Sequence, residues 1–371
     1  VGGGELLAVR LSAEIIRQRP CDKVFLISLY DAIPSIVYDE ALESGATILP
    51  LCKKKGFDPL MPFKINSALR SIKPDVIHTH LAGLRYALYG AIFCNDSIRI
   101  HTVHNMATHE ASRYMQPTHG FAFKHLGWIP VALSKQVQKS IHDVYGLDAP
   151  IVYNGIKVKE SILKQNKRDL RKAYKLPIHG FLIITIGRLS VQKNQALIID
   201  AFKHLSQINS GCSLIIVGQD DTDGSQRRML ESKAGSLPEK IRDNIHFLGL
   251  RKDIPELLMA SDVFVLSSDW EGVPLTLLEA MGYNVPVICT SVGGIPDIIE
   301  HGITGCLVPK NDSIGLANAM LNVMINNSYA TKLSANAREK FKELFSIEMT
   351  TKGYLELYKR YLTVHRWSNF K

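Results

Sequence analysis

Apolar residues fall into two rhythms along this chain, and the rhythms alternate from one end to the other. Short runs rich in Val, Ile and Phe are of strand type. Longer stretches with apolar residues at three- and four-residue spacing are of helix type. In the first half the strand runs are 23–29, 46–49, 76–80, 99–103 and 129–133, with helical stretches such as 4–17, 36–44 and 63–71 between them. The second half repeats the pattern, with strands at 181–186, 213–217, 244–247, 263–266, 286–289 and 306–308. Strands alternating with helices predict parallel sheets covered by helices. Val1-Gly2-Gly3-Gly4 has the composition of a loop that follows a strand, so a strand ahead of Val1 would complete the first unit.

The expected class is α/β, with two Rossmann-like, doubly wound parallel-sheet domains facing across a cleft at the carboxyl ends of their strands, where ligands bind in such folds. The joint falls near 151–155, where Ile151-Val152-Tyr153-Asn154-Gly155 ends a strand in a turn signal. This gives a first domain over 1–150, a second over 151–345, and a terminal helix over 346–371. Met349, Tyr354, Leu357, Tyr358 and Tyr361 recur at helical spacing in that last segment, which should pack back toward the first domain.

One stretch, 263–281, organises the chemistry. A strand-type run, Val263-Phe264-Val265-Leu266, breaks into polar residues, and a helix restarts at Pro274. Proline suits the first helical position, because its missing N–H would be an orphan there. The N–H groups of the first turn, at Leu275 and Thr276, then form a site for an anion such as a diphosphate. Glu271 lies before the helix and Glu279 inside it, among Leu277, Leu278, Ala280 and Met281. A partly buried Glu279 would need a donor, and the vicinal hydroxyls of a ribose would serve. The competing reading is a solvated helical glutamate.

Other strand ends carry candidate residues. Arg188 and Lys193 straddle the turn after 181–186 and could converge on one anion, Arg as a fork and Lys as a point charge. Gly2-Gly3-Gly4-Glu5 precedes an amphipathic helix and would let backbone approach a ligand closely. Ser291-Val292-Gly293-Gly294-Ile295-Pro296-Asp297 is a further strand-to-helix loop that either shapes the same cleft or is ordinary turn chemistry. His78-Thr79-His80 and His101-Thr102-Val103-His104 end neighbouring strands in a region that also holds His109, His119 and His125. No Asp, Glu or Cys pattern completes a metal ligand set, so a substrate-contacting histidine, best placed at His104, is preferred over a metal site.

Composition narrows the class. Over 371 residues, 46% hydrophobic and 21% charged content is that of a globular protein with ample core. No apolar run is long enough to span a bilayer, and the N-terminus lacks the layout of a secretory signal. The six cysteines are scattered without a Cys-x-x-Cys pair and read as thiols in a reducing cytoplasm. Net charge is +9, and 157–175 holds eight basic residues against two acidic ones. Lys53-Lys54-Lys55 and the last twenty residues are basic too. An anionic membrane surface or a phosphorylated lipid would meet such charge, against the simpler reading of solvated helix faces. No aromatic platform is interleaved with the cations, which argues against nucleic acid as a partner.

Taken together, these residues resemble the retaining glycosyltransferases of family 4, the group 1 glycosyltransferases of the two-domain fold called GT-B, of the kind used in bacterial surface-polysaccharide biosynthesis. The resemblance runs nearly end to end. Its strongest part is Glu-x7-Glu, Glu271 to Glu279, followed by Pro286-Val287-Ile288 and Gly293-Gly294-Ile295-Pro296-Asp297. Gly187-Arg188-Leu189 with Lys193, Asn154-Gly155-Ile156, Asp75-Val76-Ile77-His78-Thr79-His80, Thr102-Val103-His104-Asn105, Val131-Ala132-Leu133-Ser134 and Gly2-Gly3-x-Glu5 also fit. Pro274 stands where many members have Gly, and Asp297 where Glu is common.

The resemblance implies a transfer of a sugar from a nucleotide-diphosphate donor, a UDP-sugar before a GDP-sugar, to a hydroxyl of a glycan or lipid-linked acceptor with retention. Arg188 and Lys193 would hold the diphosphate, Leu275 and Thr276 would add backbone donors, and Glu279 would bind the ribose. Glu271 would contact the transferred sugar, and His104 its hydroxyls or the reaction centre. Gly2 and Gly3 would line the diphosphate and sugar, and Leu250 would meet the base. No metal or other cofactor is expected. The implied location is cytoplasmic, with a peripheral place on the inner face of the membrane as a further expectation. A nucleotide-sugar epimerase or hydrolase on the same fold, and a non-catalytic nucleotide-sugar-binding subunit, are the alternatives.

Overall fold

Parallel pairing joins every strand of the computed structural model, which describes residues 3–31, 36–54, 56, 58–91, 94, 96–220 and 223–368. The strands are β1 (Phe25–Ser28), β2 (Thr47–Pro50), β3 (Val76–His80), β4 (Ile98–Val103), β5 (Trp128–Ala132), β6 (Phe181–Ile186), β7 (Cys212–Val217), β8 (Ile245–Gly249), β9 (Val263–Leu266), β10 (Val287–Thr290) and β11 (Cys306–Val308). Each overlaps a run marked by the hydrophobic pattern. The chain divides into two compact units, one of Val1–Lys157 with Leu344–Lys371 and the other of Val158–Glu343.

In the second unit the strands form one sheet in the order β11-β10-β9-β6-β7-β8. Strands β7, β9 and β10 are buried along their whole length, as expected where helices cover both faces of a parallel sheet. One covering layer pairs the helices Gln195–Ile208 and Ser313–Ile325, whose Phe202, Leu205, Leu316 and Met320 are fully buried. The chain runs from β6 outward through β7 to β8, then returns to lay β9 on the other side of β6. The order of connection therefore reverses between β6 and β9. The carboxyl ends of those two strands are thus the topological switch point, the place where open α/β sheets bind ligands.

In the first unit the described strands form two sheets, β1-β2 and β3-β4-β5, rather than the single sheet the pattern predicts. No described strand pairs with both β1 and β3. The final helix, Ile347–Ser368, lies against the helix Gly3–Gln18 and β4. Its Tyr354 is fully buried among Leu11, Ile98, Ile100, Val131 and Val152. Parallel bridges Ala132↔Ile151 and Ile156↔Ser346 tie the connecting segment to this unit, which is why the division falls after Lys157.

Part of the basic stretch 157–175 proves to be structural. Arg171 is buried and donates to Ala260 O at 2.8 Å, Gly180 O at 2.9 Å and Asp262 Oδ2 at 2.6 Å. Lys167 pairs with the same carboxylate at 2.8 Å. Two cations counted as surface charge thus anchor the helix Lys167–Ala173 to the loop before β9. Similarly, Lys53 turns back to the carbonyls of Lys54, at 2.9 Å, and Gly56, and lies over the Tyr30 and Tyr86 rings. Lys55 lies outside the described residues. Cys212, Cys289 and Cys306 are buried thiols, whereas Cys21 and Cys52 are exposed.

Candidate active site

Three loops meet at the carboxyl edge of the second unit's sheet. After β6 the chain passes Gly187 and the exposed Arg188, then makes a single turn, Val191–Lys193. Gln195 Nε2 donates to Arg188 O at 2.8 Å and fixes the base of this loop. Gly218, at the end of β7, has φ +151°, and a Cβ there would stand 1.8 Å from Gly187 O. Only glycine permits that approach.

The loop after β9 is stitched to the first. Ser267 Oγ reaches Lys193 O at 2.9 Å and Asn194 O at 2.8 Å, and Asp269 N donates to Gln192 O at 2.8 Å. Asn194 Nδ2 donates to Asp269 Oδ1 at 3.0 Å, and Gln192 Nε2 to Trp270 O at 3.0 Å. Glu271 is buried. Its Oε1 accepts from Lys193 Nζ and, at 2.6 Å, from Ser268 Oγ. The third loop, after β10, supports Glu271 from below. Gly294 N donates to Glu271 O at 3.1 Å, and Gly293, at φ +55°, leaves no room for a Cβ, which would stand 1.9 Å from that oxygen. The glycine pair thus packs directly against the Glu271 backbone, in a turn that needs Gly293's positive φ.

The helix here is Leu275–Gly282, and Pro274 is its N-cap (φ −72°, ψ 116°), not its first helical residue. The expectation of Pro274 inside the helix is corrected by one position, because its extended ψ lies outside the helical basin. Its carbonyl accepts from Leu277 N at 3.1 Å and Leu278 N at 3.4 Å. The helix's own carbonyls leave the Leu275 and Thr276 N–H groups as the orphan donors of the first turn. Both residues are half-buried, as is Glu279 one turn on. Leu250 is the first residue after β8 and is 68% exposed.

In the first unit His104 follows β4 directly, and His80 ends β3. His80 Nδ1 and His104 Nε2 share a hydrogen bond of 2.9 Å. Burial lowers His104 to about 4. His78, lowered to about 3 by burial and then by His104, binds Tyr358 OH and Thr102 Oγ1, each at 2.7 Å. These imidazoles are neutral near pH 7 and act as hydrogen-bonding groups. Among the described residues no group of three or more His, Cys, Asp or Glu could hold a metal ion. Gly3 opens the helix Gly3–Gln18, and Gly2 lies outside the described residues. The neighbouring Gly4 packs on Leu81, whose side chain a Cβ would meet at 2.9 Å. Leu81, next to His80, holds φ +51°, which costs a non-glycine residue about 1–2 kcal/mol.

The structure thus brings Lys193 and Glu271 into contact, with Arg188 on the same loop as Lys193. Ser267, Ser268, Asp269, Asn194 and Gln195 escaped the sequence reading. The abrupt polar break Ser267-Ser268-Asp269 after an apolar strand was the available signal.

Comparison with known proteins gives two family matches: residues 166–340 fit "Glycosyl transferases group 1", and residues 1–160 fit "Glycosyltransferase Family 4". Among curated relatives, a UDP-Gal:alpha-D-GlcNAc-diphosphoundecaprenol alpha-1,3-galactosyltransferase of Escherichia coli is 27% identical over 305 residues, 78% of this chain and 76% of that one. An N-acetyl-alpha-D-glucosaminyl L-malate synthase of Bacillus anthracis is 30% identical over 233 residues, 62% of this chain and 59% of that one. Among solved structures, Anabaena Alr3699/HepE in complex with UDP and glucose matches with a TM-score of 0.79 at 20% identity, over 96% of this chain and 95% of that one. A glycosyltransferase from Rickettsia africae ESF-5 matches with a TM-score of 0.81 at 18% identity, over 97% and 96%. At such identities the structural likeness speaks to the fold alone.

Proposed function

Since the chain belongs to the group 1, family 4 glycosyltransferases of GT-B fold, we propose that it moves a sugar from a UDP-sugar, or next a GDP-sugar, to a hydroxyl of a glycan or lipid-linked acceptor, with retention. The observation that carries this reading is the Lys193–Glu271 pair at the β6/β9 switch point, with Arg188 on the loop of Lys193 and the helix start at Leu275 and Thr276 following Glu271 in the chain. Two cations and two backbone donors match a diphosphate. Lys193, held by its ion pair, and the helix N–H groups are in place before the reaction, and with Arg188 they would stabilise the charge that grows on the leaving phosphate. Glu279 takes the ribose hydroxyls, Leu250 the base, Glu271 the transferred sugar, and His104 the sugar hydroxyls or the reaction centre. The cations do the neutralising, so no metal or other cofactor is assigned.

In this reading the acceptor attacks the face that the phosphate leaves, and the departing phosphate takes the acceptor's proton. The C–O bond to phosphate breaks as the new glycosidic bond forms, and no enzyme-linked sugar intervenes. Isolation of a sugar covalently bound to Glu271 would overturn that step. The relatives include one whose name gives alpha-D-GlcNAc-diphosphoundecaprenol as acceptor. Together with the positive net charge this supports a lipid-linked acceptor met at the inner face of the membrane. Among the described residues no helix is long and apolar enough to cross a membrane. Salt-independent binding to anionic vesicles, or none, would remove that part.

The deciding experiment is a thermal-shift screen of UDP-, GDP- and ADP-sugars, because a ligand of the native state raises the midpoint by mass action. A shift with one nucleotide class, lost in Arg188→Ala, is expected. Turnover of the shifting donor without acceptor would favour an epimerase or hydrolase instead, and NMR of the product's anomeric proton reads retention directly.

A further inference from the structure

Behind the loop that presents His104 lies a buried pair that the transfer reaction does not use. Glu110 ends the short turn Ala107–Glu110, and its side chain is 6% exposed. Its Oε2 accepts from Asn105 N at 3.0 Å, and the His104 N–H also bonds this carboxyl group. Its Oε1 faces His101 Nε2 at 3.8 Å. Neither of those two buried atoms has a hydrogen-bond partner among the described residues.

The opposite side of the imidazole sets its tautomer. Thr79 Oγ1 donates to Ile100 O at 3.3 Å, so it accepts from His101 Nδ1 at 3.0 Å. The ring then turns a bare Nε2 lone pair toward Glu110. A lone pair facing a carboxylate oxygen in a dry interior is repulsive, and one proton between them converts the clash into a hydrogen bond.

We propose that Glu110 is a positioning residue held as the neutral acid, its hydroxyl aimed at His101 Nε2, where the 3.8 Å gap closes by about 1 Å to make the hydrogen bond, while its other oxygen accepts from the N–H groups that flank His104. The proton thereby fixes the place from which His104 meets its substrate. Burial raises Glu110 to about 7, against the pull of the two backbone donors. Among the described residues no Lys or Arg pairs with Glu110, and the cation felt in this cluster, Arg85, acts on His119. His119, from the helix Gln116–His125, lies with its ring 6.0 Å from His101 and is lowered to about 4 by burial and then by Arg85. Tyr145, ending the helix Lys135–Tyr145, is raised to about 12 by burial and then by Glu110 itself. His78 and His104 further depress His101.

The proposal rests on the reading of His104 as a site residue, and its test has one arm that does not. Wild type, Glu110→Gln and Glu110→Ala are compared for turnover and, without substrate, for melting temperature across about pH 5 to 9. Glutamine copies the protonated form at every pH, with its NH2 toward His101 and its oxygen toward the backbone donors. Wild-type turnover should fall about tenfold between pH 7 and 8–9, Glu110→Gln should stay within about threefold of the wild-type plateau without that fall, and Glu110→Ala should lose about tenfold throughout. The melting arm has a fixed sign. The native acid keeps its proton between 4.5 and about 7 while the unfolded chain loses it, so wild-type stability falls relative to Glu110→Gln across that window. Parallel melting curves, or Glu110→Gln as impaired as Glu110→Ala, would overturn the proposal. Diverging curves in a protein that turns over no donor would support the proton and count against the reading of the site.

Discussion

Lys193 and Glu271, 78 positions apart in the chain, meet in an ion pair whose side chains are 14% and 6% exposed. A charge this sheltered depends on its partner. Lys193→Ala would leave a buried carboxylate with Ser268 as its remaining donor, at a cost of about 3 kcal/mol. The double variant Lys193→Met/Glu271→Met removes both charges and should recover much of that loss. Urea midpoints at constant m-value measure both. A Lys193→Ala cost below about 1 kcal/mol would mean that the pair is hydrated in solution.

Arg188 differs from Lys193 because its side chain is exposed and its loop is held by Gln195 through the backbone. Arg188→Ala should leave the urea midpoint within about 1 kcal/mol of wild type. Transfer should nevertheless fall by about 10²- to 10³-fold, the loss seen when one preorganised donor to a growing negative charge is removed. Equal loss of stability and activity would reassign Arg188 to folding.

Gly218 and Gly293 are each pressed against a backbone carbonyl, at 1.8 Å and 1.9 Å for an added Cβ. Alanine at either must push two strand ends apart as well as adopt a strained φ, so a loss of about 3 kcal/mol or more is expected. Gly146 is the control. It has φ +67° but open space around it, and alanine there should cost only about 1–2 kcal/mol. Thermal melts of the three variants separate close approach from backbone strain.

Much of this arrangement is legible in the sequence because it follows local rules. Runs such as Val263-Phe264-Val265-Leu266 are apolar on both faces, which in an alternating chain means a central parallel strand. The ends of those strands then locate Arg188, Lys193, Glu271 and His104. What stayed hidden depends on partners distant in sequence. Nothing local tells that Arg171 is spent on Asp262, 91 positions away, and not on a surface ligand. Pro274 was misplaced by one residue because proline favours the first helical position, and only its extended ψ shows it to be the N-cap. Glu110 looked like any polar residue in a loop. Its role appears only when β3 and β4 pair and set Thr79 beside His101.

The crowd of neutral imidazoles makes the first unit sensitive to acid. Burial lowers His78 to about 3 and His104 and His119 to about 4, and holds His80 and His101 well below their ordinary value of 6.5. Between pH 6.5 and these lowered values the unfolded chain binds protons that the native unit refuses, so stability falls as pH falls. Each such group adds up to about 1.4 kcal/mol per pH unit. Glu110 acts with the opposite sign, losing stability as pH rises from 4.5 to about 7, but it is one group against five. The balance predicts a urea midpoint that drops steeply below about pH 6. Trp128 is buried in this unit, and its fluorescence reports the transition once Trp270 and Trp367 are replaced by Phe. A midpoint unchanged between about pH 6.5 and 5 would show that water reaches these rings and that their hydrogen bonds to Thr102, Tyr358 and one another do not persist.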